Sequence, residues 1–257
     1  MNVVILAGGF GSRLAEETHR VPKPMVEIGG RPMLWHIMNI YAAAGHADFI
    51  VACGYKGEVI KDYFDRFTVH NSDWKLDLAT GRRENVRARL PDWRVSLVDT
   101  GYDTKTGGRL RRVKDWIGSG TFLATYGDGL ANADFAALVE FHRRHGRLAT
   151  VTAVHPPARF GALDLDGPLV REFSEKPQGR EGWINGGFFV FEPAVLDRIP
   201  GDESSLEHDL LRDLAAAGEL AAFRHEGFWH PMDTLRDRQQ LDALWAAGTA
   251  PWKRWAD

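Results

Sequence analysis

Short apolar runs alternate with stretches of helical spacing along the first two-thirds of the chain. Val3-Val4-Ile5-Leu6 is apolar throughout and predicts a short strand. Pro32–Ala44 carries Leu34, Ile37, Met38 and Tyr41 on one helical face and stops at Gly45. Phe49–Cys53 predicts a buried strand and Glu58–Phe67 an amphipathic helix. Val95–Val98 reads as strand and Gly108–Trp116 as helix. Thr121–Tyr126 is a strand ending at Gly127-Asp128-Gly129; Phe135–His145 is a helix closed by Gly146, and Ala149–Val154 the next strand. Strands alternating with helices imply the α/β class, as a Rossmann-like doubly wound sheet, parallel or mixed. Runs apolar at every position fit strands buried on both faces.

After Pro156 the rhythm changes. Phe160–Lys176 reads as a hairpin turning at Asp166-Gly167. Gly187–Phe191 predicts a strand, Leu206–Ala217 a helix, Leu220–His225 a strand and Leu235–Ala247 a final helix. Between Phe67 and Val95 lies a charge-rich stretch of weak periodicity, expected to project as a loop or a β-arm. No internal repeat or clear linker interrupts the chain, so residues 1–257 are expected to form one domain.

Composition narrows the function classes. A length of 257 residues allows a substantial core, and a formal charge of −3 argues against a nucleic-acid grip. No apolar stretch is long enough to span a bilayer and no leader pattern opens the chain, so the expected address is the cytoplasm, with no membrane partner. The single cysteine, Cys53, lies in an apolar strand and reads as a small buried hydrophobe. The histidines show no zinc spacing, and His142 and His145 read as structural or exposed. Four of the nine tryptophans, Trp229, Trp245, Trp252 and Trp255, crowd the last thirty residues and predict a tail packed on something.

The first strand breaks at Leu6-Ala7-Gly8-Gly9-Phe10-Gly11-Ser12-Arg13, a turn of unhindered N–H groups. Glycine admits positive φ and close approach of a ligand, and successive backbone donors make a concavity for anions. Ser12 offers a hydroxyl and Arg13 a fork for phosphate oxygens. The plain alternative is a tight strand–helix turn. Neither the GxGxxG of a nicotinamide site nor a Gly-Lys-Ser/Thr P-loop occurs here. Lys23 sits between Pro22 and Pro24, whose fixed φ stiffens its backbone; the alternative is a solvated loop lysine.

Further along, Asp128 is flanked by glycines at a strand's end, where a metal or a ribose hydroxyl is in reach, or it is turn chemistry. Asp233 either joins it on one Mg²⁺, which favours a couple of carboxylates plus phosphate and water, or caps the last helix. Glu175-Lys176-Pro177 and Asn185-Gly186-Gly187 mix donors, acceptors and a cation, as a sugar phosphate needs; a surface ion pair followed by a β-bulge is the alternative. Thr104, Thr106 and Arg109 lie in a hydroxyl- and glycine-rich start of a helix, suited to an anion or to simple capping.

Taken in order, LAGGFGSRL, PKPMVEIGGRPMLWHIM, GYKGEVIKDYF, TGYDTKTGGRLRRV, TYGDG, EKP, WINGGFFVFEP, GFWHPMDTLRD and APWKRW resemble the sugar-1-phosphate nucleotidylyltransferases from end to end. The longer blocks resemble the family's cytidylyl-transferring branch. The resemblance implies a fold of glycosyltransferase-A type, with a nucleotide-binding part over 1–155 and a sugar-phosphate-binding and oligomerisation part over 156–257. It implies CTP and glucose 1-phosphate as partners, with UTP or dTTP, or another sugar 1-phosphate, as the alternative. CTP would lie over Leu6, Ala7, Gly8, Gly9, Phe10, Gly11, Ser12 and Arg13. Thr104, Thr106 and Arg109 would lie at its base and ribose side. Lys23 and Arg13 would stabilise charge at the phosphates, and Asp128 and Asp233 would hold Mg²⁺. Gly129, Glu175, Asn185 and Gly186 would face glucose, and Lys176 its phosphate. A homo-oligomer is implied, as is a place before dideoxy sugars of polysaccharides or secondary metabolites. Ser12 departs from the family's usual threonine by one methyl. A sugar-phosphate oxygen is already anionic, so such a transfer needs no strong base; positioning and charge stabilisation suffice. A catalytically silent binding module is the rival from another class.

Overall fold

The computed structural model describes residues 1–11, 14–157, 162–166, 169–174 and 182–256. It begins with β1 (Asn2–Ala7), α1 (Ala15–Thr18), a 3-10 turn over Lys23–Met25, the short pair β2 (Glu27–Ile28) and β3 (Arg31–Pro32), α2 (Met33–Ala43), β4 (Asp48–Cys53) and α3 (Gly57–His70). Then come β5 (Ser72–Leu76), β6 (Arg83–Ala88), β7 (Arg94–Asp99), α4 (Thr106–Arg112), α5 (Lys114–Ile117), β8 (Phe122–Tyr126), β9 (Gly129–Ala131), α6 (Phe135–His145) and β10 (Ala149–Val154). The remainder holds β11 (Ala162–Asp166), β12 (Leu169–Ser174), β13 (Ile184–Asn185), β14 (Phe189–Phe191), α7 (Leu211–Ala216), β15 (Leu220–His225), β16 (Trp229–Pro231) and α8 (Leu235–Ala246).

The central sheet is mixed. β7, β4, β1 and β8 run parallel in that order, β14 pairs antiparallel with β8 and β10, and β15 lies parallel to β10. Side chains of β1 alternate between two cores, Val3, Ile5 and Ala7 in one and Val4 and Leu6 in the other. This is why the strand is apolar at every position; each Val, Ile or Leu side chain buried contributes about 2 kcal/mol. Helices α2 and α6 cover one face, and α4, α5 and α7 the other. The chain moves outward from β1 to β4 and β7, then returns to the other flank of β1 as β8. That reversal opens a crevice at the carboxyl ends of β1 and β8, the usual ligand position in such sheets.

Several boundaries differ from the sequence expectation for local reasons. The helix expected over Gly108–Trp116 starts at Thr106 and divides at Val113. The strand expected over Gly187–Phe191 begins at Phe189, because Gly187 (φ +76°) and Phe188 (φ +47°) adopt left-handed conformations. The expected helix over Leu206–Ala217 opens as a π-turn, Leu206–Leu210, capped by Ser205, whose Oγ accepts from His208 N. The charge-rich stretch is a two-stranded arm of β5 and β6. The expected hairpin at 160–176 is present as β11 and β12, with its turn outside the described residues. The tryptophan-rich tail packs on α2: Trp252 is fully buried and its Nε1 donates to His36 Nδ1 at 3.3 Å. His142 is buried and bonded to Thr150, which makes it structural. No helix among the described residues is long and apolar enough to cross a membrane.

Candidate active site

The loop after β1 lies over a buried guanidinium. Arg109, from α4 and 4% exposed, donates through Nη1 to Thr100 Oγ1 (2.8 Å) and the carbonyls of Gly101 (2.7 Å) and Cys53 (3.3 Å). Through Nη2 it donates to the carbonyls of Gly8 and Tyr102, both at 3.0 Å. One side chain therefore ties together the loops after β1, β4 and β7. Gly8 and Gly54 form its slot: a Cβ on either would lie 2.3 or 2.1 Å from the guanidinium. Gly11 has φ +62°, and a Cβ there would crowd Thr18. Gly9 faces open space. The loop is thus a low wall of bare backbone whose shape is fixed from beneath. Phe10, Tyr55 and Tyr102 stack edgewise around its rim, with centroids 5.2–5.9 Å apart.

Across the crevice, Lys23 reaches two carboxylates. Its Nζ donates to Asp128 Oδ2 and to Asp233 Oδ1, each at 2.6 Å. Lys23 and Asp233 are only 8% and 9% exposed. Burial opposes the lysine's charge, but the two carboxylates outweigh it and hold its pKa above the ordinary value. The ribbon of β9 and β16 explains the meeting. It pairs Gly129 with Pro231, and Met232 N donates to the Asp128 carbonyl at 2.8 Å, so residues 105 positions apart become neighbours. Asp233 is not the cap of α8. Thr234 caps it, in a reciprocal box with Asp237, and the Asp233 carboxylate turns inward. Two carboxylates that share the Lys23 ammonium are the residues here that could hold a small cation, a pair of the kind Mg²⁺ takes together with phosphate and water.

Two cavities meet here. The first, of about 830 Å³, is lined by the Leu6–Gly11 loop, Lys23, Thr104, Thr106 and Arg109. The second, of about 390 Å³, is lined by Asn185, Ile184, Glu207, Trp229 and Asp233. Tyr126 and Asp128 line both and so form the wall between them. A large anion cradle and a smaller polar cleft that share a carboxylate fit two substrates exchanging a group at that carboxylate.

The nucleotidyl transferase sequence profile matches residues 2–247. The chain belongs to the nucleotidyl transferase family. It is 54% identical over 256 residues to a Salmonella typhi protein named glucose-1-phosphate cytidylyltransferase, covering 99% of this chain and 100% of that one. A Bacillus subtilis protein named probable glucose-1-phosphate cytidylyltransferase is 43% identical over the same share of each chain. Among solved structures, HddC from Yersinia pseudotuberculosis superposes with a TM-score of 0.69 at 25% identity, covering 95% of this chain and 99% of that one.

Within this nucleotidyl transferase, Leu6 to Gly11, Lys23, Thr104, Thr106, Arg109 and Asp128 converge on the first cavity. Asn185 and Asp233 converge on the second. Gly186 backs the second cavity: its carbonyl accepts from Trp229 Nε1 at 2.8 Å, and a Cβ on it would strike Val154. Gly129 opens β9 beside Trp229. Ser12, Arg13, Glu175 and Lys176 lie outside the described residues. Cys53 has no thiolate role: burial pushes its thiol up to about 11. Sequence reasoning did not place Tyr126, Ser205, Glu207 or Trp229 in the site. Only the π-turn, a feature that often marks functional sites, would have pointed to Glu207, and its residues read as an ordinary helix start.

Proposed function

We propose that the chain transfers a cytidylyl group from CTP to α-D-glucose 1-phosphate, giving CDP-glucose and pyrophosphate. The observation that carries this reading is the pair of cavities meeting at Asp128, in a chain similar over its whole length to cytidylyltransferases. The triphosphate would lie along the backbone amides of the loop after β1, with Ser12 and Arg13 extending that cradle. Glucose 1-phosphate would occupy the second cavity, near Asn185, and by the family resemblance Glu175 would meet its hydroxyls and Lys176 its phosphate. A phosphate oxygen of the sugar attacks the α-phosphorus of CTP; the bond from that phosphorus to the bridging oxygen breaks, and pyrophosphate leaves with the electron pair. The nucleophile is an anion already, so the site needs cations and alignment rather than a base. Lys23, charged at neutral pH, would stabilise the phosphate oxygens as negative charge builds. Asp128 and Asp233 would hold Mg²⁺, which when bound supplies further neutralisation of phosphate charge. Thr104, Thr106 and Arg109 would shape the base and ribose side.

Incubation with CTP, glucose 1-phosphate and Mg²⁺, with products resolved by mass spectrometry, tests the reading. CDP-glucose and pyrophosphate in equal amounts are expected; no coupled product overturns it. Chelation with EDTA should stop the reaction and excess Mg²⁺ restore it. Self-association belongs to the same reading, since the β5–β6 arm leaves Leu78 and Val86 exposed. Light scattering at the monomer mass would contradict that part.

A further inference from the structure

Behind Tyr126, in the lining of the second cavity, lies a further carboxylate. Glu207, on the π-turn after Ser205, receives three hydrogen bonds from three segments. Thr106 Oγ1 donates to its Oε2 at 2.9 Å, Ser205 Oγ to the same oxygen at 2.8 Å, and the Tyr126 hydroxyl to its Oε1 at 2.7 Å. The Tyr126 oxygen in turn accepts from Asn185 Nδ2 at 3.1 Å, and Asn185 Oδ1 accepts from Gly187 N at 2.8 Å.

The direction of these bonds follows from chemistry alone. An ionised carboxylate only accepts, and a phenol has one proton to give. Tyr126 spends its proton on Glu207, so toward Asn185 it can only accept. Asn185 must then present its amide nitrogen to Tyr126 and its oxygen to the Gly187 N–H. One amide N–H and one oxygen lone pair remain for a ligand in the second cavity. Burial opposes the charge on Glu207, but the three donors outweigh it and hold its carboxyl below the ordinary value. Glu207 therefore stays an acceptor across the neutral range.

We propose that Glu207 is a positioning residue for the sugar: by fixing the proton on Tyr126 it orients the Asn185 amide, and so sets which sugar hydroxyls the second cavity can satisfy. This rests on the proposed assignment of that cavity to the sugar phosphate. Through Thr106 the same carboxylate also pins the edge of the first cavity, but the Thr106 oxygen already accepts from Leu206 N at 2.8 Å, so that side is held twice. On the sugar side Glu207 fixes the Tyr126 proton, while Gly187 N holds the Asn185 oxygen from the other end.

Glu207→Gln tests this. It keeps size and shape but puts an N–H₂ where an acceptor stood; placed to keep the two donors on the remaining oxygen, it faces the Tyr126 hydroxyl. The expected result is a rise in KM for glucose 1-phosphate on the order of 10- to 100-fold, the effect of a misdirected buried hydrogen bond. KM for CTP should move less than about 3-fold, within the reach of a bond that is backed by a second one. Preference for glucose 1-phosphate over its C4 epimer should narrow. Tyr126→Phe alone should give the same selective defect, and adding Glu207→Gln to it should change the sugar KM little, because the link is already cut. Equal effects on both substrates, fully additive effects in the double variant, or a normal sugar KM in Tyr126→Phe would overturn the proposal. Isothermal titration with glucose 1-phosphate reads the same contacts without turnover. A chain that binds the sugar phosphate but makes no CDP-glucose overturns the proposed reaction and leaves the Glu207 test intact. A wild-type chain that binds no sugar phosphate overturns both.

Discussion

Lys23 concentrates the chemistry at the residue scale. It is a cation on a proline-stiffened turn, 2.6 Å from each of two carboxylates that come from distant parts of the chain. On the proposed reaction, its removal takes away a charge that would face the reacting phosphates. Lys23→Ala is expected to lower kcat on the order of 10²- to 10³-fold, as loss of one preorganised donor does elsewhere, while the circular dichroism stays native. Near-normal kcat in that variant would remove Lys23 from the mechanism. Asp128→Ala is expected to abolish turnover and to erase the response of the activity to added Mg²⁺; a retained response would remove Asp128 from the cation site. Lys23 and Asp128 were legible in the sequence because each stands in an unusual local setting, between prolines or between glycines at a strand's end; Asp233 read equally as the cap of the last helix. Glu207 was not legible. Its role comes from Tyr126 and Thr106, 81 and 101 positions away, and nothing in Leu206-Glu207-His208 distinguishes it from a helix carboxylate.

Between residue and fold stand the braces that hold the loops. Arg109 fits between Gly8 and Gly54, so Gly8→Ala should push the guanidinium out of its slot. The expected cost is on the order of 1–3 kcal/mol of stability, together with weaker CTP binding by titration; unchanged binding and melting would mean that the loop does not depend on Arg109. At the start of α2, His36 donates from Nε2 to the Ile28 carbonyl at 2.8 Å and accepts from Trp252 at Nδ1. This bonding requires the neutral ring, and burial lowers its pKa to about 4. Below its ordinary value of 6.5 the unfolded chain takes up a proton that the folded chain refuses until about pH 4. Stability from this group is therefore whole above pH 6.5 and falls as pH drops through that window, by about 3 kcal/mol at its lower end. The melting temperature of wild type should fall more steeply from pH 7.5 to pH 5 than that of His36→Gln; parallel slopes would contradict this. The periodicity of α2 announced the helix and its buried face, and the crowded tryptophans announced a packed tail. Neither could say that the two meet at a histidine, because the meeting depends on the return of the chain after α8.

Over the whole molecule, strand rhythm disclosed the doubly wound sheet but not its antiparallel member. β14 reads like any apolar strand; it continues the direction of β13, which already runs antiparallel to β10, and the left-handed pair Gly187 and Phe188 only interrupts the ladder between them. The crevice at the carboxyl ends of β1 and β8 follows from the order of the strands, so the position of the first cavity was implied once the sheet was. The second cavity was not, because it depends on the β9–β16 ribbon drawing Asp233 back to Asp128. Truncating Trp252 to alanine should cost about 3–5 kcal/mol, as for other fully buried large aromatics, and loosen the tail; a melting temperature unchanged from wild type would mean the tail is not part of the core. The two-cavity arrangement makes one central claim, that a cytidylyl group passes across the Asp128 wall to a sugar phosphate. The most direct measurement is a competition in which equimolar CTP, UTP, dTTP, GTP and ATP are supplied together with limiting glucose 1-phosphate and Mg²⁺, and the nucleotide sugars are separated by mass. CDP-glucose as the dominant product is the predicted result; UDP-glucose or dTDP-glucose in its place, or no nucleotide sugar at all, would contradict it.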